Sequence, residues 1–264
     1  MPRSSSKSSP QATHSPMLHL AVSQPATTVE CMIATSFALR RIAVFVAIAI
    51  ATSAAPLALR PASAQTVTPT AAVTTARQLL ALVPTAAEQS SSTYSRAAFR
   101  HWVDADRDCQ DARAEVLIRK SRTPVTFTTL KRCTVVAGSW FSWYDGATLS
   151  AASSVDVDHV VALKEAWESG AHAWSPTDRE RYANDLGFAG SLQAIRDSVN
   201  QSKSDRDPAQ WMPPRAAARC EYAATWVQVK FRWRLAVDTA ERSALNRTLA
   251  SCPGTSIVSP PRAR

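Results

Sequence analysis

Residues 155–163 read VDVDHVVAL, a segment in which two carboxylates and a histidine alternate with valines. This alternation has the period of a β-strand, so we expect the segment to end a strand. In an extended chain Asp156 and Asp158 point to one side, while His159 points to the other. An aspartate can then bind a cation while the neighbouring histidine contacts a nearby water molecule. Taken alone, an Asp-His pair is more often a structural hydrogen-bonded pair, so its context decides the interpretation.

That context comes from residues 191–203, which read SLQAIRDSVNQSK. We expect this stretch to form a strand or turn and then a helix that carries Asn200 and Lys203. A strand with Asp-His, a connecting segment, and a helix with Asn-x-x-Lys follow in the order that is typical of a ββα-metal nuclease site. The two segments together favour a catalytic interpretation of the aspartate and the histidine.

The flanking segments predict an α+β fold in which helix predominates. A helix is expected from Ala76, and three leucines form its apolar stripe: Leu79, Leu80 and Leu82. A second, short helix is expected to carry Phe99 and Trp102, with Trp102 as a core residue. Residues 123–130 and 133–146 are rich in β-branched and aromatic side chains and predict strands. Later helices are expected to begin at Ser175-Pro176 and at Asp238, which are favourable N-terminal residues.

The N-terminal region has the composition of an export signal. Arg40-Arg41 precede an apolar run over residues 42–59, and Ala62-Ser63-Ala64 is a small-x-small cleavage pattern. The alternative is a transmembrane anchor, since the run is near the lower limit for spanning. Met32 stands just before the basic flank, so we expect residues 1–31 to be a start-site artefact or an unusual extension.

These features divide the chain into four parts around one core. The expected parts are an N-terminal extension with signal peptide at 1–64 (the signal at about 32–64), a disordered linker at 65–75, a domain at 76–252, and a disordered tail at 253–264. Residues 1–64 carry five basic residues and one acidic residue, so the net charge falls from +9 to +5 in the mature chain. A moderate basic excess is compatible with a polyanionic substrate.

Four cysteines remain in the mature chain: Cys109, Cys133, Cys220 and Cys252. They permit three pairings, and the sequence does not choose among them. We favour Cys109–Cys133 with Cys220–Cys252, because each bond joins neighbouring elements. A zinc site is the alternative, but no C-x-x-C pair is present.

Taken together, the motifs resemble the secreted HNH endonuclease family related to the C-terminal domain of the GmrSD restriction enzymes. The resemblance covers about residues 78–252. Its motifs are short, and their order is what makes it specific. The matching residues in the second half are 156–163, Glu165-Ala166-Trp167, Ser169-Gly170-Ala171, Ala183-Asn184-Asp185-Leu186, Ser191-Leu192, Asn200, Ser202-Lys203, Asp207-Pro208, Trp211 and Pro213-Pro214. Those in the first half are Tyr94, Arg96, Phe99, His101-Trp102, Arg113, Glu115-Val116-Leu117, Gly138, Trp140, Tyr144 and Gly146.

The resemblance implies a ββα-metal (HNH/His-Me finger) core embedded in a single disulfide-linked domain. It implies that His159 is the general base, and that Asp158 and Asn200 hold one divalent cation, Mg²⁺ or Mn²⁺. Asp156 would support the metal site. The middle Asn of the HNH motif falls at Ser191, so either Ser191 or Asn184 would hold the loop that bears the histidine.

Four cations are candidates for contact with the nucleic acid. Lys203, which we also place in the catalytic centre, and Arg206 would act on phosphates through charge. Lys230 and Arg234 share one face of a C-terminal helix and would line the DNA groove, although a solvated face is the usual explanation of such a pair.

The expected function is a secreted, monomeric endonuclease that cleaves DNA with low sequence specificity, with RNA as an alternative substrate. No stable membrane association is expected after signal cleavage. One alternative is a catalytically inactive secreted protein that binds nucleic acid or another polyanion. Another is a glycan hydrolase that uses the carboxylates as an acid/base pair. Asp104, Asp106 and Asp108 also have the spacing of a calcium loop, but the central Gly of that motif is absent.

Overall fold

The computed structural model describes residues 73–252, 254 and 256–264. The expected signal peptide and residues 65–72 of the expected linker lie outside the described residues. Within those described, the helices are α1 Ala76–Ala81, α2 Ala112–Lys120, α3 Leu163–Glu168, α4 Pro176–Ala183, α5 Asp197–Lys203, α6 Arg219–Trp233 and α7 Thr239–Ala250. The strands are β1 Val73–Thr75, β2 Thr126–Phe127, β3 Val135–Ser142, β4 Ala147–Ala151, β5 Val155–His159, β6 Leu192–Arg196 and β7 Ser256–Val258. More of the chain is helical than is in strands, as predicted.

Strands β5 and β6 form an antiparallel pair in which Asp156 lies opposite Ile195 and Asp158 opposite Gln193. Helix α5 begins directly after β6 and packs against both strands. The two segments singled out in the sequence therefore form one unit of two strands and a helix.

A three-stranded sheet of β2, β3 and β4 lies beside this unit, in the order β2-β3-β4. Helix α2 contacts both sheets, and the Trp140 indole of β3 donates to the Leu117 carbonyl of α2 at 2.8 Å. The turn between β3 and β4 closes at Gly146, whose φ of +85° suits glycine. This turn carries Tyr144 into the interior, where it is fully buried.

The larger core is formed by the helices α1, α3, α4, α6 and α7. Its largest buried side chains include Tyr222, Trp226 and Trp233, all on α6. Among the described residues no helix combines the length and the apolar character needed to cross a membrane.

Both predicted helix starts are confirmed. The Ser175 hydroxyl accepts the N–H of Asp178, with Pro176 in the first turn of α4. Asp238 and Glu241 form a reciprocal capping box at the start of α7. Such caps satisfy N–H groups that have no partner inside the helix.

Two local predictions are wrong. Leu82 is 65% exposed and lies outside the apolar stripe, because α1 ends at Ala81. Phe99 and Trp102 do not share a helix. A single 3-10 turn, Arg96–Ala98, precedes them, and Trp102 has a φ of +59° that ends any helical path.

The sequence predicts disorder at the two ends of the domain, whereas the described residues there are paired or hydrogen-bonded. Strand β1 at residues 73–75 pairs with strand β7 at residues 256–258. Each end of the domain therefore supplies the hydrogen-bonding partner of the other. The last residues continue over α6, where the N–H of Ala263 donates to the Arg232 carbonyl at 3.0 Å. A pairing between the two ends of the domain leaves no local signal in either segment.

The structure joins Cys109 to Cys133 and Cys220 to Cys252, which is the pairing favoured from the sequence. The second bond links the start of α6 to the residue after the C-cap of α7. Each closes a loop long enough to contribute about 3 kcal/mol, chiefly by restricting the unfolded chain.

Candidate active site

Asp158, His159 and Asn200 line one pocket of about 440 Å³. The first two come from the end of β5 and the third from α5. Tyr94 and Arg96, from the segment before α2, also line this pocket. The strand pair and its helix thus bring the adjacent residues Asp158 and His159 together with Asn200, which follows later in the sequence.

The Asp158 carboxylate is buried and bound on both of its oxygens. Lys203 Nζ donates to Oδ1 at 2.8 Å, and the Tyr144 hydroxyl donates to Oδ2 at 2.7 Å. Burial raises the pKa of the Asp158 carboxyl, and the Lys203 ammonium opposes that effect. Lys203 Nζ also donates to the His159 carbonyl at 2.9 Å, so this lysine fixes two consecutive residues of β5.

His159 lies on the opposite face of β5 and makes one hydrogen bond through its ring. Its Nε2 lies 2.9 Å from the carbonyl oxygen of Ala183. A carbonyl oxygen only accepts, so Nε2 carries the proton and Nδ1 is the basic atom of the neutral ring. Burial lowers the pKa of His159 to about 3, and the positive charge of Arg96 acts in the same direction.

Asn200 contacts Asp156, the other carboxylate of β5. Its Nδ2 donates to Asp156 Oδ2 at 3.1 Å. Both carboxylates of β5 therefore contact side chains of α5, as expected of alternate residues in a strand.

Comparison with known proteins places this site in a family. Residues 110–248 match the family described as the C-terminal domain of GmrSD restriction endonucleases. The chain belongs to this family. A protein of Arthroderma benhamiae called "Uncharacterized secreted protein" is 39% identical over 200 residues, which cover 76% of this chain and 96% of the relative. No solved structure matches the chain.

The segment that matches the GmrSD family contains β5, β6 and α5. Tyr94, Arg96 and Trp102 precede the matched residues. The pocket is therefore built partly from the family segment and partly from the chain that leads into it.

The donor atoms of this GmrSD-family site suit a hard divalent cation. A carboxylate has about four acceptor positions, and Asp158 uses two of them on Lys203 and Tyr144. Asn200 donates through Nδ2, which leaves its amide oxygen as an acceptor. Two oxygen donors on one pocket fit Mg²⁺ or Mn²⁺, because such ions keep several water ligands.

Two of the four residues predicted to contact nucleic acid are buried in the described structure. Lys203 has 0% exposure and binds Asp158, so it does not reach a phosphate in solution. Lys230 is equally buried and bridges Glu165 and Glu241 at 2.6 and 3.1 Å. Burial of an ammonium group is costly unless a buried carboxylate neutralises it, and here each lysine has such a partner.

The other two predicted contacts are accessible but do not line the pocket. Arg206 is half-buried and its Nε donates to the Lys203 carbonyl at 3.3 Å. Arg234 is exposed at the left-handed C-cap of α6. Contact of either residue with a nucleic acid stays a prediction.

Arg96 is a cation of the pocket for which the sequence alone predicts no role. It is exposed, and it forms none of the ion pairs found among the described residues. Lys164 lines the same pocket but is bound by Asp205 at 2.5 Å. The signal for Arg96 in the sequence is that it is one of the residues that carry the family resemblance.

Ser191 and Asn184, the two candidates for the middle Asn, hold different parts of the site. The Ser191 carbonyl accepts the N–H of Val160, the residue after His159, at 3.1 Å. Its hydroxyl donates to Asp185 at 2.6 Å. Asn184 instead accepts the N–H of Val103 at 2.9 Å and so holds the segment that carries Trp102.

Asp185 is a buried anchor that sequence reasoning missed. Arg232 donates to both of its oxygens, at 2.8 and 2.9 Å, and the Trp233 indole donates at 2.9 Å. This cluster ties α6 to the loop before β6. Its only sequence signal was a place beside Asn184 in one of the matching motifs.

The carboxylates of Asp104, Asp106 and Asp108 lie within 4.8 Å of one another. Asp104 accepts the N–H of Cys109 at 2.9 Å, and Asp108 accepts that of Gln110 at 2.7 Å. Acidic side chains that bind N–H groups of their own loop are typical of turns.

Proposed function

We propose that this chain is a secreted, metal-dependent endonuclease of the HNH type that hydrolyses phosphodiester bonds of DNA with low sequence specificity. The observation that carries the proposal is the convergence of Asp158, His159 and Asn200 on one pocket, from a strand pair and the helix that follows it. Membership of a restriction endonuclease family supports the same chemistry. The mechanism attacks with water and needs no 2′-hydroxyl, so RNA is a second substrate to assay.

In this proposal His159 is the general base. Its Nε2 is committed to the Ala183 carbonyl, so Nδ1 accepts the proton of the water that attacks phosphorus. A phosphodiester anion bound beside the ring would favour the charged imidazole and raise the pKa toward neutrality. The products would carry 5′-phosphate and 3′-hydroxyl ends.

Asp158 and Asn200 would hold a divalent cation, Mg²⁺ or Mn²⁺. Such an ion neutralises charge at a scissile phosphate and stabilises the leaving oxygen. Lys203 and Tyr144 fix the Asp158 carboxylate, and Asp156 orients the Asn200 amide. These three residues would act through the side chains they hold.

Arg96 would bind the phosphate of the substrate. It is exposed, lines the pocket and belongs to none of the ion pairs of the described chain, so its charge is available. A guanidinium binds phosphate oxygens through two parallel N–H groups. This assignment replaces Lys203 and Lys230, which are buried.

Export of the chain, with a mature start at Gln65, is also proposed. Two disulfides support it, because such bonds persist in oxidising compartments. The name of the Arthroderma benhamiae relative is consistent with it. The mature protein is proposed to be a monomer without stable membrane association.

The test is to incubate oxidised residues 65–264 with plasmid DNA and Mg²⁺ or Mn²⁺, with and without EDTA. We expect metal-dependent nicking that falls by about 10²–10⁴-fold in His159→Ala. His172→Ala, which removes an exposed histidine outside the pocket, should cleave normally. Salt-sensitive DNA binding without cleavage under any divalent ion would contradict the proposal and favour an inactive polyanion-binding protein.

A further inference from the structure

Two aromatic rings lie close to the His159 imidazole and nearly parallel to it. The Trp102 indole has its ring centroid 5.5 Å away, with an interplanar angle of 28°. The centroid of the Tyr182 ring lies 6.3 Å away, with an interplanar angle of 19°. Aromatic pairs at these separations attract, so both rings oppose tilting of the imidazole.

The hydrogen bond to Ala183 fixes the remaining freedom of the ring, which is rotation within its own plane. The two stacked rings and one hydrogen bond therefore define a single orientation with Nε2 turned inward. Because Nε2 donates, Nδ1 is the nitrogen left to accept a proton.

The two stacking rings differ in how they are held. Tyr182 belongs to α4, is buried, and donates its hydroxyl to the Val161 carbonyl. Trp102 is half-buried on an irregular segment and has a φ of +59°. A bulky residue in the left-handed region is unusual and persists only where its surroundings enforce it.

Asn184 enforces the conformation at Trp102. Its Oδ1 accepts the N–H of Val103, and its Nδ2 donates to the Arg100 carbonyl, each at 2.9 Å. The amide thus bridges the residues that flank the His101-Trp102 dipeptide. Asn184 follows Ala183 directly, so consecutive residues at the end of α4 hold the imidazole and the ring above it.

We propose that Trp102 is a positioning residue for His159, and that Asn184 holds the indole in place over the imidazole. This inference rests on the proposed role of His159 as the general base. It explains why a strained aromatic residue stands beside the pocket without lining it. Nothing in this arrangement needs Trp102 to touch the substrate.

The first test compares Trp102→Leu and Trp102→Phe by steady-state DNA cleavage. Misplacement of a reacting group by about 1 Å can cost about 10²-fold in rate, so we expect Trp102→Leu to lower kcat at least about tenfold. KM should change less than twofold, because substrate contacts are intact. Trp102→Phe keeps a stacking ring and should recover most of kcat.

Phe127→Leu is the matched control. Phe127 packs against the same core cluster as Trp102 and makes no stacking contact with His159. The contrary result is that Phe127→Leu lowers kcat as much as Trp102→Leu does when the two variants are equally stable. That result would show a general packing role for Trp102 and overturn the proposal.

The second test is independent of activity. Nitrogen NMR of the His159 ring should show one tautomer, protonated at Nε2, in the unmodified protein and in Trp102→Phe. Trp102→Leu should show averaging of the signals of the two ring nitrogens. Asn184→Ala should shift the spectrum in the same direction, and it serves as the test variant if Trp102→Leu does not fold. Unchanged ring signals in both Trp102→Leu and Asn184→Ala would overturn the inference. An unmodified protein without nuclease activity would instead count against the proposed function.

Discussion

Lys203 Nζ lies 2.8 Å from Asp158 Oδ1, and both side chains are buried in the described structure. Nothing in the residues next to Lys203 in the sequence indicates that this lysine is buried. Yet it neutralises a carboxylate of the candidate metal site before any ion binds. The consequence is that Lys203 supports the fold and the site together.

Replacement of Lys203 should therefore reduce stability strongly. Lys203→Met leaves the Asp158 charge buried without a counter-charge, and such changes cost about 3–5 kcal/mol. Urea denaturation measures this loss. The double variant Lys203→Met with Asp158→Asn should lose less than Lys203→Met alone, because the uncompensated charge is gone; an equal or greater loss would show that the ion pair is not the cause.

Arg96→Gln should weaken substrate binding without loss of stability. Removal of one phosphate contact should raise KM. It should also reduce, by about 1, the slope of the logarithm of the DNA-binding constant against the logarithm of the salt concentration. Arg100→Gln is the matched control, since Arg100 is an exposed arginine of the same segment that pairs with Glu180 at 3.4 Å and does not line the pocket. Equal effects of the two substitutions would point to general charge rather than to a phosphate site.

Glu88 should make stability depend on pH. Partial burial, followed by the nearby charges of Glu165 and Asp238, raises the pKa of Glu88 from 4.5 to about 7. The folded state then binds more protons than the unfolded state between these values, so this contribution to stability falls as pH rises from 4.5 to 7. Glu88→Gln should be more stable than the unmodified protein at pH 8 and no more stable at pH 4. Chemical denaturation at the two pH values decides this.

Deletion of residues 259–264 should destabilise the domain although these residues were expected to be disordered. The deletion removes the hydrogen bonds of Arg232 to Pro261 and of Arg181 to Ala263. It also removes the Arg264 guanidinium, which lies 5.0 Å from the Trp174 ring centroid. We expect a loss of roughly 1–3 kcal/mol, at about 1 kcal/mol for each hydrogen bond. A transition unchanged from that of the full chain would mean that the end of the chain is not docked in solution.

Much of the local structure could be predicted from the sequence. The strand over VDVDH, the strand and helix over residues 192–203, and the caps at Ser175 and Asp238 all rest on signals within a few residues. Periodicity and capping are local effects, so they can be read without the rest of the chain.

The roles of the charged residues could not be predicted in the same way. Lys203 and Lys230 look like any lysine on a helix, and two of the carboxylates that bind them, Asp158 and Glu165, lie 45 and 65 residues away. Trp102 looked like a core residue, and its contact with His159 depends on Asn184, which is 81 residues from its partner Val103. Such contacts leave no periodic signal in the sequence.

The sequence by itself determined the candidates for the chemistry, because the residue types of Asp158, His159 and Asn200 and their order along the chain are enough to single them out. Only the tertiary structure decided which cations are free to meet a substrate. The physical reason is that a charge is cheap to bury when a counter-charge is buried with it, and the position of that counter-charge is set by packing between distant segments.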